Sequence, residues 1–174
     1  MRQALAASLV VATALTLIAL AGAGANGNYV THLTGAEEVP ERETLAQGQF
    51  IAQLSPDGTE LRYRLIASNI TNVTAAHIHL GPAGTNGGVV VFLAGPFAPG
   101  EGGTNGVLAT GTITAANLTG ALVGQPLSAL VAEMDAGNAY VNVHTNDGVA
   151  PTNTGPGDFP GGEIRGQIGT NEAG

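Results

Sequence analysis

Two histidines one residue apart, in Ala75-Ala76-His77-Ile78-His79-Leu80, are the side chains best placed to do chemistry in this sequence. Side chains alternate along a strand, so His77 and His79 share a face with Cα atoms roughly 6.5 Å apart, while Ala76, Ile78 and Leu80 turn into a core. That is half of a metal site. A second stretch, Tyr140-Val141-Asn142-Val143-His144-Thr145, repeats the arrangement: Val141 and Val143 take the apolar face and Tyr140, Asn142 and His144 the polar one. If the two strands are neighbours, His77, His79 and His144 converge outside the core. Three imidazoles with an open position suit copper, with zinc as the alternative, whereas oxygen-seeking calcium would not choose them. His32 alternates away from Tyr29 and Leu33 and is a candidate fourth ligand, and Asn142, Asp147 and Glu163 are candidate acceptors for the rings' second N–H. Binding needs neutral imidazoles, so affinity is expected to fall as pH drops through roughly 6.5. The competing reading has the same histidines hydrogen-bonded to backbone in the glycine-rich loops.

Positioning these residues falls to short β-branched runs separated by turn signals, the pattern of an antiparallel sandwich or barrel. Strands are expected at Tyr29–Thr34, Gln49–Leu54, Glu60–Ser68, around His77, at Val89–Leu93, at Val107–Thr114, around His144 and from Glu163 to Ile168. Ser55-Pro56-Asp57-Gly58 makes a hairpin of the second and third. Leu61, Tyr63 and Leu65 alternate with Arg62 and Arg64, a half-buried pattern with the arginines outward. Val89-Val90-Val91-Phe92-Leu93 reads as a strand buried on both faces. One short helix is expected with Pro126 at its first position, Leu127, Leu130, Val131 and Met134 on its apolar stripe and Gly137 as its stop. The fold class is therefore all-β, a Greek-key-like sandwich or barrel with one short helix.

Arg2 followed by the apolar run Leu5–Leu20 and the small residues 21–25 reads as a secretory signal, residues 1–25, leaving one domain at 26–174 in a secreted or periplasmic protein with no membrane attachment after cleavage. The absence of cysteine excludes disulfides and thiolate ligands. Without Arg2 the chain carries four arginines and no lysine against thirteen acids, a formal charge of −9, which disfavours nucleic acid as a partner. Nucleophilic catalysis lacks support: there is no cysteine, no lysine and no Gly-x-Ser-x-Gly turn. The loop 81–88 has the glycines of a phosphate cradle but not its lysine or helix, and reads as a turn. Glu37, Glu38, Glu41 and Glu43 read as a solvated acidic loop that meets Arg165 if the chain ends are adjacent; Glu163 and Arg165 read as a structural ion pair, or as an arginine on loop carbonyls. Asn69, Asn72 and Asn117 begin Asn-x-Thr sequons, which matter only in a eukaryotic secretory pathway.

Four stretches together resemble the chordin-type (CHRD) domain family: Leu33-Thr34-Gly35-Ala36-Glu37-Glu38-Val39-Pro40, Ala76-His77-Ile78-His79-Leu80-Gly81-Pro82-Ala83, Tyr140–Thr145, and Gly161–Ile168. The resemblance implies an extracytoplasmic β-rich domain and no settled activity. The insertion Ala94–Gly106 and the long loop before Glu163 depart from the usual spacing and are placed to reshape the mouth of a site. A looser likeness, carried by His77-Ile78-His79 and His144, is to copper-zinc superoxide dismutases, which ligate copper outside a Greek-key barrel. The four histidines of this chain are too few for the six that a binuclear site of that kind uses. Three readings result: a binding module holding one transition-metal ion, an adhesion or matrix domain with an extracellular protein partner, and a dismutase-like oxidoreductase.

Overall fold

The computed structural model describes residues 27–101 and 103–170; the expected signal segment lies outside them. Among the described residues nine strands run β1 (Asn28–Thr34), β2 (Gln47–Leu54), β3 (Leu61–Thr71), β4 (Val73–Leu80), β5 (Val89–Ala94), β6 (Gly103–Ile113), β7 (Ala139–Thr145), β8 (Ile164–Gln167) and β9 (Gly169–Thr170), with one α-helix, α1 (Leu127–Asp135), before β7. They form one sheet in the order β5-β4-β7-β8-β1-β2-β3-β6, with β9 on β1, and every pairing is antiparallel. The sheet curls into a nearly closed barrel whose end strands β5 and β6 come into contact without a hydrogen-bonded ladder.

Period-two alternation builds the interior, as the sequence pattern requires. Tyr29 and Leu33 of β1, Phe50 and Ala52 of β2, Leu61 and Leu65 of β3, Ile78 of β4, Val141 and Val143 of β7, and Ile164 of β8 point inward and are buried. Arg62 and Arg64 face out, the former on Glu60 at 3.4 Å. Leu127, Leu130, Val131 and Met134 of α1 add their stripe to this core, and Gly137 ends the helix at φ +70. The run Val89–Leu93 does not follow expectation. It is an end strand of the sheet, and Phe92 is 61% exposed on the outer side.

The seam between β5 and β6 is bridged from β3. Tyr63 pairs with Gly111 in the ladder, and its hydroxyl reaches past β6 to donate to the Leu93 carbonyl at 2.7 Å. Glycine at 111 is what lets the ring pass, since a Cβ there would stand 2.7 Å from Tyr63 Cε1 and 2.9 Å from its oxygen. Tyr63→Phe is therefore expected to cost about 1 kcal/mol in a urea melt, one hydrogen bond, and Gly111→Ala about 1–3 kcal/mol by overpacking. Melts unchanged by both would mean the seam is held by aliphatic packing alone.

Candidate metal centre

The two histidine strands are adjacent. In the β4–β7 ladder Ala75 pairs with His144, His77 with Asn142, and His79 with Tyr140, which sets all three imidazoles on the outer face. Their ligating nitrogens lie within 4.8 Å of one another, and His77 Nδ1 and His144 Nε2 are 3.1 Å apart. Two nitrogens about 2.05 Å from a shared ion stand roughly 3.3 Å apart at a tetrahedral angle and about 4.1 Å apart when opposite. The close pair is near the tetrahedral spacing.

Backbone carbonyls fix the direction of two rings. His79 Nδ1 is 3.0 Å from the Gly87 carbonyl oxygen and His144 Nδ1 is 3.0 Å from that of Pro160. A carbonyl only accepts, so both Nδ1 atoms carry the proton and both Nε2 atoms present a lone pair, that of His144 towards His77 Nδ1. The His79 Nε2 is buried with no hydrogen-bond partner. A histidine whose far nitrogen is tied to a carbonyl and whose near nitrogen is free has the arrangement of a metal ligand. It is also an energetic liability until something occupies that lone pair.

Gly87 is itself pinned, its N–H donating to the Tyr140 hydroxyl at 3.0 Å. The Tyr140 ring stacks on His79, with centroids 4.9 Å apart and planes 10° from parallel, and the Arg165 guanidinium lies 3.5 Å from the Tyr140 centroid. Arg165 donates to the Pro82 carbonyl at 3.0 Å and to Gln167 Oε1 at 3.3 Å, tying β8 to the same loop. Phe92 meets the His77 ring edge to face at 4.8 Å.

Burial strips the imidazoles of hydration and favours their neutral forms. It lowers His77 to about 4, helped by the neighbouring His144 and His79 rings. It lowers His144 to about 4 as well, against the opposing hydrogen bond to Pro160. His79 is also lowered, by burial first, with Arg165 adding to it and the Gly87 carbonyl resisting. His77 and His144 are thus neutral well below the pH 6.5 expected from unperturbed histidine, and His79 shifts in the same direction.

A family model for the CHRD domain matches residues 29–168. The chain belongs to the CHRD domain family. No curated protein and no solved structure matches it. The four stretches of the CHRD domain singled out in the sequence meet around this one face. The first supplies Glu38, the second His77 and His79, the third Asn142 and His144, and the fourth Arg165.

Several sequence expectations need correction in this CHRD domain. His32 is exposed on β1, with β7 and β8 between its strand and β4, and is not in the histidine cluster. None of Asn142, Asp147 and Glu163 accepts from a ring. Asn142 donates to Glu38, Asp147 accepts the Val149 N–H at 2.8 Å, and Glu163 accepts from Thr44 and Thr145, each at 2.7 Å. The ring acceptors are carbonyls of Gly87 and Pro160, which no side-chain pattern reveals. Glu38 is no solvated loop residue: it is 4% exposed, and its pKa is pushed up to about 7 by burial, against the pull of Arg165 and Arg42. Glu163 and Arg165 form no ion pair with each other; Arg165 instead binds loop carbonyl, the alternative reading. The insertion docks through Phe97 N–H on the Thr74 carbonyl and Gly100 N–H on that of Asn146, while the loop before Glu163 does reach the site by way of Pro160.

Proposed function

We propose that this CHRD domain is a secreted or periplasmic binding module that holds one transition-metal ion through His77, His79 and His144. The ligating atoms are His77 Nδ1, His79 Nε2 and His144 Nε2. Copper is the ion of choice because it heads the affinity order for imidazole sites; zinc, equally content with three nitrogens and an open position, is the alternative. The observation that carries the reading is the buried, partnerless His79 Nε2, aimed at the same small volume as two other imidazole nitrogens. Among the described residues no helix is long and apolar enough to cross a membrane.

Copper titration of the mature protein is expected to give one equivalent bound at pH 7 and at pH 5.5, because the ring pKa values of His77 and His144 are held near 4. A His77→Ala, His144→Ala double variant is expected to bind none with comparable affinity. Equal uptake by the two proteins would end the metal reading.

One observation favours a second reading, a structural or adhesion domain. The 3.1 Å separation of His77 Nδ1 and His144 Nε2 is also that of an N–H···N hydrogen bond. On that reading the double variant melts at lower temperature and its metal content does not change.

A further inference from the structure

We propose that the bound ion keeps a fourth, exchangeable position beside Asn142, and that Asn142 is a positioning residue holding a water or other O–H-bearing ligand there. This rests on the metal reading above. In the β4–β7 ladder Asn142 stands opposite His77, with Tyr140 and His144 its neighbours on the same face of β7. Side chains so paired have Cβ atoms about 4.5–5.5 Å apart, which sets the Asn142 side chain directly beside that of His77.

Glu38 decides which end of that amide is which. Asn142 Nδ2 lies 3.1 and 3.2 Å from the two carboxylate oxygens of Glu38 and donates to them, so the amide oxygen turns away. Asn142 Oδ1 is buried, on a residue 2% exposed, and reaches no donor. The absence of a side chain at Gly162 leaves the amide its room. A Cβ at that glycine would stand 2.5 Å from Nδ2, 2.7 Å from Oδ1 and 2.6 Å from Glu38 Oε1, so any side chain there would dislodge it. An ion satisfies the unpartnered His79 Nε2 but leaves the amide acceptor without a proton. A water on the ion satisfies both, because coordination leaves its O–H groups free to donate.

The ligand class follows from that acceptor. Water, hydroxide and hydroperoxide carry a proton for Oδ1, whereas azide binds copper and has none to give. In the copper-loaded mature protein, pulsed EPR in D2O is expected to show an exchangeable proton coupled to Cu(II) more strongly than the remote ring N–H protons of the histidines, as a proton on a directly bound oxygen is. Azide titration, followed by its charge-transfer band, is expected to show Asn142→Leu binding azide roughly fivefold more tightly than the wild type at unchanged copper stoichiometry, the equivalent of one hydrogen bond no longer displaced. Identical azide affinity in the two proteins, or no such proton in the wild type, overturns the proposal while the metal site stands. Failure of the wild type to take up copper overturns both. Should Asn142→Leu not fold, the proton measurement on the wild type decides alone.

Discussion

Replacing Gly87 by alanine is expected to unfold the mouth of the histidine site and to abolish the proposed copper binding, although none of the three histidines is altered. A Cβ built at this position runs into the Leu80 carbonyl group and the Gly81 nitrogen, backbone atoms that cannot swing aside as a side chain can. The loop must therefore move, and it is tied on both sides. Leu80 N–H donates to the Gly88 carbonyl at 3.0 Å, Gly87 N–H donates to Tyr140, and the Gly87 carbonyl holds His79. Moving that peptide frees the His79 ring and removes the stop against which Tyr140 stacks. The steric cost is about 3 kcal/mol, at the upper end for overpacking, and corresponds to a fall of roughly 10 °C in melting temperature for a domain of this size. Gly88→Ala is the control, since a Cβ at that neighbouring glycine meets nothing within 4 Å. It is expected to melt and bind as the wild type does. If Gly87→Ala binds one equivalent of copper with wild-type affinity, the carbonyl at 87 does not orient His79, and the second tie, Pro160 on His144, has to suffice.

Gly87 also marks where sequence reasoning stopped. Alternation around Ile78 and around Val141 and Val143 identifies which face each histidine takes, because a strand's period of two is a local property. Adjacency of β4 and β7 is not local: α1, β5 and β6 intervene in the chain, and only the long-range pairing brings His144 to His77. His32 shows the same limit from the other side, with its face right and its place in the sheet wrong for ligation. Tyr140, Asn142 and His144 are legible as a polar row outside the core, and Arg165 as one half of an ion pair or a donor to loop carbonyls. The loops fold over that row, leaving Asn142 at 2% and Arg165 at 1% exposure. Glycine- and proline-rich connections carry no periodicity from which such a cover can be read. Val89–Leu93 fails in the opposite sense. Its unbroken apolar run matches a strand buried on both faces, yet Phe92 is 61% exposed on the outer side, where it meets the His77 ring.

The buried row also makes stability depend on pH in two opposing ways, and Glu38 is the residue that separates them. Its folded pKa, about 7, lies above the ordinary 4.5. The stabilisation linked to its proton is therefore complete below about pH 4.5 and is lost as pH rises through 7, at a cost on the order of 3 kcal/mol once the buried carboxylate is charged. His77 and His144 act with the other sign. Their folded values near 4 lie below the ordinary 6.5, so in the metal-free protein the unfolded chain takes up their protons first, and stability falls as pH drops from 6.5 towards 4. Between pH 6.5 and 4.5 the carboxyl offsets about one of the two histidines, and the wild-type slope follows the remainder. Glu38→Gln keeps the side-chain shape and removes the carboxyl's share. It is expected to be more stable than the wild type at pH 8, by up to about 3 kcal/mol, to converge with it near pH 4.5, and to lose stability about twice as steeply between the two histidine limits. Urea melts in chelator across pH 4.5–8 measure both slopes. Parallel curves for the two proteins would show that Glu38 is ionised throughout, with Arg165 and Arg42 outweighing its burial. A flat acid limb in both would show that the imidazoles titrate at their solution value and are not held neutral by the fold.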